Sequence, residues 1–257
     1  PRRMDKTACF IELLKAVTVD CKDDGENFVV PDRVAVIEGL LVKSDYKVIV
    51  REPLALVYAK RELSAGDSVV LVSAHVDCLY DACFCAEEGD FLRGTFDNSF
   101  GNAAILWQML AGALPGNVVV AFTGDEERDS HGAVQTLLAL GRMQCEIKFA
   151  LVLDVTNTGC ESGAMFALEN DLGIDIFTAH KIVEAVEAVG EKYEFKHCAE
   201  PDESWDYNDY GIPVLSLCAV VKGFLHGNEG VLLQKKSLIP SKIELLCNSP
   251  ESNPIIT

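Results

Sequence analysis

The sequence predicts an α/β fold, a three-layer sandwich in which a mixed, mostly parallel β-sheet is covered by helices on both faces. Three observations lead to this prediction. Short apolar runs rich in β-branched residues recur along the chain, segments of helical periodicity lie between them, and no stretch of biased composition divides the chain. Buried strands that alternate with helices are typical of a sheet covered on both sides.

The individual elements follow from the spacing of apolar residues. Phe10, Leu13, Leu14 and Val17 recur at helical spacing and predict a first helix, which a polar turn at residues 20–27 follows. Strands are predicted at residues 48–50, 55–58, 69–74, 118–122, 149–155 and 214–220. Further helices are predicted at residues 102–113, 131–140 and 176–189.

Length and composition indicate one domain. Of the 257 residues, 49% are hydrophobic, which is enough apolar material for one large core. No repeat or linker separates parts of the chain, so we expect a single domain over residues 1–257. Residues 1–3 resemble a tag remnant ahead of Met4, and residues 249–257 are expected to form a loose tail.

Charge and cysteine content exclude several classes of partner. The chain has 40 acidic and 22 basic residues, a net charge of -18, so no nucleic-acid partner is expected. No apolar run approaches the roughly 20 residues of a membrane span, so no membrane partner is expected either. Ten cysteines without a regular framework indicate a reducing compartment such as the cytoplasm, although removal of a leader stays open, as does the oligomeric state.

Side chains that bind metals stand at or near the ends of the predicted strands. There are five of them in order along the chain: His75, Asp97, Glu127, Asp154 and His226. Ligand sites of open α/β sheets form where strands end, so we expect the five to meet. Imidazole nitrogen with carboxylate oxygen suits zinc, with cobalt or manganese able to substitute, and five ligands suffice for two ions if one carboxylate bridges. Each residue alone could instead be a cap or turn former, and residues 125–127 alone could be an acidic helix N-terminus.

The order of these residues resembles the co-catalytic zinc exopeptidases, the superfamily of zinc aminopeptidases, amino-acid deacylases and related carboxypeptidases. The pattern spans residues 69 to about 230 and consists of His75-x-Asp77, Asp97-Asn98-x-x-Gly101, Glu126-Glu127, Asp154 and a late His226. The resemblance implies a zinc-exopeptidase (phosphorylase/hydrolase-like) fold, two divalent metal ions, and a peptide or an acylated amino acid as substrate.

The resemblance also implies a role for each residue. One zinc ion would be held by His75 and Asp154, the other by Glu127 and His226, and Asp97 would bridge them. Asp77 would orient the ring of His75, and Glu126 would be the general base.

Two further segments lie near the predicted ligands in sequence, and each receives its own interpretation. Residues 201–213 resemble the loop that brings substrate-binding groups over the metals, so we expect Asp202, Glu203 and Tyr207 to contact the substrate. Cys78, Cys83 and Cys85 have no matching second pair of cysteines, and we interpret them as packing residues.

What the chain lacks indicates the branch of the superfamily. Asp154 and Asp202 are too close in sequence for the lid domain of the deacylase and dipeptidase branch, and His75 and Asp97 are too close for the inserted domain of the large aminopeptidases. Residues 92–97 resemble the deacylase branch instead. We therefore expect a metallo-exopeptidase, an aminopeptidase first, with an N-acyl amino acid deacylase or dipeptidase as the alternative. A single-zinc acyltransferase-type enzyme and a non-catalytic homologue are less favoured.

Overall fold

The described part of the chain comprises residues 6–21, 26–28 and 32–237 of a computed structural model. The expected tag remnant at 1–3 and the expected tail at 249–257 lie outside these residues, as does part of the polar turn at 20–27. Among the described residues, no helix combines the length and the apolar content that crossing a bilayer requires.

Helices and strands alternate along most of the chain. In chain order they are α1 (Lys6–Val17), α2 (Asp32–Leu41), β1 (Lys47–Glu52), β2 (Ala55–Ala59), β3 (Ser68–His75), β4 (Cys85–Glu88), β5 (Phe91–Gly94), α3 (Ser99–Leu110), β6 (Val118–Thr123), α4 (His131–Arg142), β7 (Glu146–Thr156), β8 (Phe166–Leu172), α5 (Ile176–Glu187), β9 (Tyr193–Lys196), α6 (Glu203–Asp209), β10 (Val214–Lys222) and β11 (Val231–Gln234), with a 3-10 turn at Lys235–Ser237.

Four parallel strands form the centre of the sheet, in the spatial order β6-β3-β7-β10. On one side β2 and then β1 continue the sheet by antiparallel pairing. On the other side β8 pairs antiparallel with β10, and β9 pairs parallel with β8. The far end of β10 also pairs with β11, which leads to β5 and β4. The sheet is therefore mixed with a parallel centre, as predicted.

The sheet is buried on both faces because successive side chains of a strand point to opposite sides. On one face, Val70 and Val72 of β3 pack in the same core cluster as side chains of α1, α2, α3 and α5. On the other face, Val69 and Leu71 pack in a second cluster with side chains of α4 and α6. This arrangement confirms the predicted three-layer fold, and within the described ranges no lid domain interrupts it.

Every strand and helix predicted within the described residues is present, with ends shifted by a few positions. Several elements were not predicted: α2, the hairpin β4–β5, β8, β9, α6 and β11. Most of these elements are short or carry polar residues, so the apolar pattern does not mark them.

Gly132 allows α4 to approach the backbone at the edge of the sheet. A Cβ atom there would lie 2.5 Å from the carbonyl oxygens of both Gly124 and Leu54, whereas a Cβ at Gly141 of the same helix would meet nothing within 4 Å. We expect Gly132→Ala to lower the free energy of unfolding by about 1–3 kcal/mol, because backbone atoms would have to shift. Gly141→Ala is expected to raise it by up to about 1 kcal/mol. Chemical denaturation measures both, and equal effects of the two variants would contradict this packing.

Candidate metal centre

The carboxyl ends of the central strands bring the predicted ligands to one edge of the sheet. His75 is the last residue of β3 and is in register with Thr123, the last residue of β6. Asp154 lies near the end of β7, in register with Cys218 of β10. The remaining predicted ligands lie in the connections that follow β5, β6 and β10: Asp97, Glu127 and His226.

Asp97 lies between the two histidines. Its Oδ1 is 3.1 Å from Nε2 of His75, and its Oδ2 is 3.3 Å from Nε2 of His226. His75 Nε2 also lies 3.7 Å from Asp154 Oδ1, and His226 Nε2 lies 3.4 Å from Glu127 Oε2. Asp97 thus lies between the two histidines, with Asp154 near His75 and Glu127 near His226.

Asp77 connects His75 to the loop that carries the acidic pair. Its Oδ1 lies 3.4 Å from His75 Nδ1, and its backbone oxygen lies 3.2 Å from the same nitrogen. The backbone N–H groups of Glu126 and Glu127 donate to the two Asp77 oxygens at 3.3 and 3.2 Å. These contacts leave His75 Nε2 directed at the cluster, where Glu126 Oε2 is 3.7 Å away.

Two asparagines position the turn that carries Asp97. Asn98 caps α3 by accepting the Gly101 N–H at 2.9 Å, and it donates to the carbonyl of Leu153 at 2.7 Å. Asn102 donates to the last carbonyl of β3 at 2.6 Å. A Cβ at Gly101 would lie 2.4 Å from Asn98 Oδ1, so only glycine fits at this position. The Asn98-x-x-Gly101 spacing therefore ties the Asp97 turn to strands β3 and β7.

The acidic pair lies in a loop and not on a helix. Asp125 adopts a left-handed conformation with φ of 66°, and its carbonyl accepts the N–H groups of Asp129 and Ser130 at 3.0 and 2.7 Å. Helix α4 begins only afterwards. The alternative interpretation of residues 125–127 as an acidic helix N-terminus is therefore wrong.

Residues that the sequence analysis did not single out also hold the site in place. The Arg33 guanidinium is fully buried and donates to the carbonyl of Val76, between His75 and Asp77, at 2.8 Å. It donates as well to the carbonyls of Val17 and Val19, at 2.9 and 3.2 Å. No sequence signal marks this residue, because its partners are backbone oxygens.

The loop that carries His226 is held by a tyrosine. The buried Tyr80 donates its hydroxyl proton to the carbonyl of Leu225, the residue before His226. The imidazole of His226 itself remains 46% exposed. His226 is therefore the most accessible of the predicted ligands, whereas the side chain of His75 is only 2% exposed.

Within the described residues, none of the three nearby cysteines forms a hydrogen bond with a predicted ligand. Cys78 and Cys83 place their sulfur atoms 3.8 Å apart, and Arg33 lies 3.9 Å from the second. Cys85 begins strand β4. Their surroundings are those of packing residues beside the site.

Burial and like charge perturb the carboxylates of the cluster. Burial, followed by repulsion from Asp97, raises the pKa of Glu127 to about 8. Burial also raises the pKa of Asp154 to about 6, and that of Glu126 well above its usual value. Burial acts in the same direction on Asp97, but contacts with His226 and His75 outweigh it and hold the pKa of Asp97 well below its usual range. So much buried negative charge is costly without cations.

The donor set fits divalent metal ions. Two buried side-chain atoms of the cluster, His75 Nε2 and Glu127 Oε1, have no hydrogen-bond partner within the described ranges. His75, Asp97 and Glu127 each offer one ligand atom within 4.8 Å of the others. Nitrogen and carboxylate oxygen donors that converge in this way suit zinc and related ions.

The structure separates the three residues predicted to contact substrate. Asp202 caps α6, accepting the Ser204 N–H at 2.9 Å, and it lines the cavity described below. Glu203 and Tyr207 are fully buried instead. The Ser73 hydroxyl donates to Glu203 at 2.9 Å and accepts the hydroxyl proton of Tyr207 at 2.8 Å. The expected substrate contacts of Glu203 and Tyr207 are therefore not what the structure shows, because both side chains are enclosed behind β3.

A cavity of about 420 Å³ opens beside the cluster. Its wall includes three residues of the cluster and several polar residues farther along the sheet: Asp97, Glu126, Asp154, Thr156, Glu169 and Asp202. A concave space of this size that adjoins convergent polar groups is suited to one part of a small substrate.

This fold, with histidines and carboxylates gathered at its parallel strand ends, is that of the co-catalytic metallo-exopeptidases, a class of hydrolases. The sequence identifies the family within that class: the pattern of peptidase family M28 matches residues 57–237, and the chain belongs to this family. No curated protein matches the sequence.

Several solved structures share the fold. The aminopeptidase APDkam598 from the archaeon Desulfurococcus kamchatkensis superposes with a TM-score of 0.74 at 13% identity, covering 97% of each chain. A TET aminopeptidase from the marine sediment archaeon Thaumarchaeota archaeon SCGC AB-539-E09 has a TM-score of 0.73 at 12% identity, covering 96% of this chain and 99% of its own. The TET1 peptidase of Pyrococcus horikoshii, which can assemble into a tetrahedron or a large octahedral shell, has a TM-score of 0.67 at 17% identity, covering 93% and 99%.

Proposed function

We propose that this protein is a zinc aminopeptidase that hydrolyses the first peptide bond of a substrate with a free N-terminus. The observation that carries the proposal is the position of Asp97, which offers one oxygen to each of two histidines at 3.1 and 3.3 Å. A carboxylate shared in this way suits a pair of metal ions. The names of two structural neighbours as aminopeptidases add support.

The proposed ligands divide into two sets around Asp97. His75 and Asp154 would hold one ion, and Glu127 and His226 the other. When bound, the ions supply a water of lowered pKa and polarise the scissile carbonyl. Zinc is the metal proposed, with cobalt or manganese as substitutes, because the ligands are imidazoles and carboxylates.

Glu126 is proposed as the general base. Its carboxylate faces the cluster at 3.7 Å from His75 Nε2, and its backbone is fixed by the hydrogen bond to Asp77. In this position it can take a proton from the attacking water and deliver it to the leaving nitrogen. Asp77 is proposed as the positioning residue that orients the ring of His75.

The charge of the site favours a free amine over a blocked one. Glu126 and Asp202, which are not proposed metal ligands, line the cavity beside the cluster, and an ammonium group is attracted to such carboxylates. A substrate held by its α-amine brings its first carbonyl to the cluster, whereas internal bonds are not aligned. The substrates proposed for this single catalytic domain are therefore peptides with a free N-terminus.

The compartment is proposed from the state of the thiols. Each cysteine in the described part of the chain is free. Free thiols persist where the surroundings are reducing, so we place the protein in the cytoplasm.

The test compares leucyl-anilide with its N-acetylated form on the zinc-loaded protein. We expect only the free-amine substrate to be hydrolysed, because blocking the amine removes the alignment of the terminal bond. Release of the chromophore is measured for both substrates, with metal-free protein as the control. Preference for the acetylated substrate would indicate an N-acyl amino acid deacylase instead, and no hydrolysis of either would contradict the proposed function.

A further inference from the structure

Glu169 is a buried carboxylate on the wall of the cavity beside the metal centre. It belongs to β8, is 6% exposed, and lines the cavity together with Thr156 and Cys218. The Thr156 hydroxyl donates to Glu169 Oε1 at 2.9 Å. The Cys218 thiol lies 3.8 Å from Oε2 and is a weak donor. The known partners of this carboxylate are therefore neutral groups.

Glu169 forms no ion pair within the described chain, although the exposed Lys196 lines the same cavity. No basic side chain in residues 6–21, 26–28 or 32–237 forms an ion pair with it. Because a buried carboxylate is costly unless a cation or several donors compensate it, the site is suited to a cation that arrives from the cavity.

The geometry of β7 relates Glu169 to the metal centre. Thr156 follows Asp154 by two positions on this strand, so both side chains point to the same face, about 6.5–7 Å apart. Asp154, Glu126 and Glu169 all line the same cavity. One cavity therefore joins the proposed metal centre to Glu169.

We propose that Glu169 makes this cavity a subsite for a basic side chain, so that the enzyme prefers lysine or arginine as the N-terminal residue. The inference rests on the proposed aminopeptidase function and adds the substrate class. Asp202 and the exposed Glu200 also line the cavity and increase its negative charge. The ammonium or guanidinium group would form a charge-assisted hydrogen bond with Glu169.

Lys196 is a cation in the same cavity and opposes the binding of a basic side chain. It lines the same cavity, is exposed, and lies on β9 in register with Glu169. A lysine at this position would favour an acidic substrate side chain if it dominated the subsite. Burial decides between the two, because a charge that is enclosed interacts more strongly than one that water screens.

The experiment compares lysyl-anilide with norleucyl-anilide on the full-length, zinc-loaded protein. The two side chains have similar length and differ by the terminal ammonium group. We expect kcat/KM to favour the lysyl substrate by at least about 10-fold, the range for a hydrogen bond to a charged group. Glutamyl-anilide, which tests the alternative role of Lys196, is expected to be the poorest of the three.

Variants assign the preference to individual residues. Glu169→Gln keeps the side-chain volume and is expected to reduce the lysyl-to-norleucyl ratio by about 10- to 100-fold. Glu194→Gln, on β9 and not among the residues that line the cavity, removes the same charge and should keep the wild-type ratio. Lys196→Gln removes the competing cation and should raise the ratio. Because each variant is judged by a ratio, a loss of folded protein does not imitate the effect.

The other possible results distinguish the basic subsite, the role of Glu169 and the aminopeptidase function from one another. An equal or lower rate with lysyl-anilide than with norleucyl-anilide overturns the basic subsite but leaves the aminopeptidase function intact. A lysyl preference that survives in Glu169→Gln overturns the role of this residue. Failure of the loaded protein to hydrolyse any of the three substrates contradicts the proposed function and the subsite with it.

Discussion

Replacing Asp97 by alanine is expected to lower the number of bound metal ions per chain and to abolish measurable turnover. Its two oxygens lie near His75 and His226, so their loss deprives both proposed metal positions of a ligand. Metal analysis after zinc loading should fall from about two ions per chain to one or fewer. The loss of turnover should reach at least about 10³-fold, because the shared carboxylate positions both halves of the site.

Asp90→Ala is the matched control for this change. Asp90 is an exposed aspartate in the turn between β4 and β5, on the same connection that leads to Asp97. It should keep the metal content and the turnover of the wild-type protein. A wild-type protein that binds a single ion, and keeps it after Asp97→Ala, would refute the shared ligand and favour the single-zinc acyltransferase alternative.

Glu126→Gln is expected to separate metal binding from catalysis. The variant should retain both ions, because Glu126 is not a proposed ligand, but it should lose at least about 10²-fold in kcat through loss of the proton acceptor. Zinc content and kcat with leucyl-anilide measure the two effects. Glu127→Gln provides the contrast, since this change should lower the metal content as well.

Normal turnover of Glu126→Gln would show that another group accepts the proton. Loss of metal in this variant would instead make Glu126 a ligand. We favour the role of general base over that of metal ligand, because Glu127 and not Glu126 contacts His226, at 3.4 Å.

The parts of the fold that carry apolar side chains could be predicted from the sequence. Strands such as Val118–Thr123 and Val214–Lys222 are almost entirely buried, and their composition shows it. The hairpin strand Cys85–Glu88 is largely exposed and polar, so its pairing with Phe91–Gly94 has no apolar signature. This hairpin depends on backbone hydrogen bonds between its two strands, which side-chain composition does not report.

In the candidate site, the ligand-type residues could be predicted from the sequence, but the residues around them could not. The five ligand-type residues stand in a recognisable order, and the structure gathers them. Glu169 could not be found in this way, because β8 combines an apolar start with the polar run Glu169-Asn170-Asp171 and does not resemble a buried strand. Glu203 and Tyr207 were misplaced because both lie on the buried side of α6, and the sequence pattern does not report which side of this short helix is buried.

The three carbonyl contacts of Arg33 bear on where the working unit of this protein starts. Residues 57–237 match the family and contain all five ligand-type side chains, but Arg33 precedes them. A shortened chain that began at residue 57 would carry the complete ligand set and still leave the Val76 carbonyl without its guanidinium donor. The Arg33 side chain thereby connects the end of α1 to the residue that follows His75, through separate hydrogen bonds to the carbonyls of Val17 and Val76. We therefore expect a fragment limited to residues 57–237 to hold the proposed metal ligands less firmly than a chain that also contains Arg33.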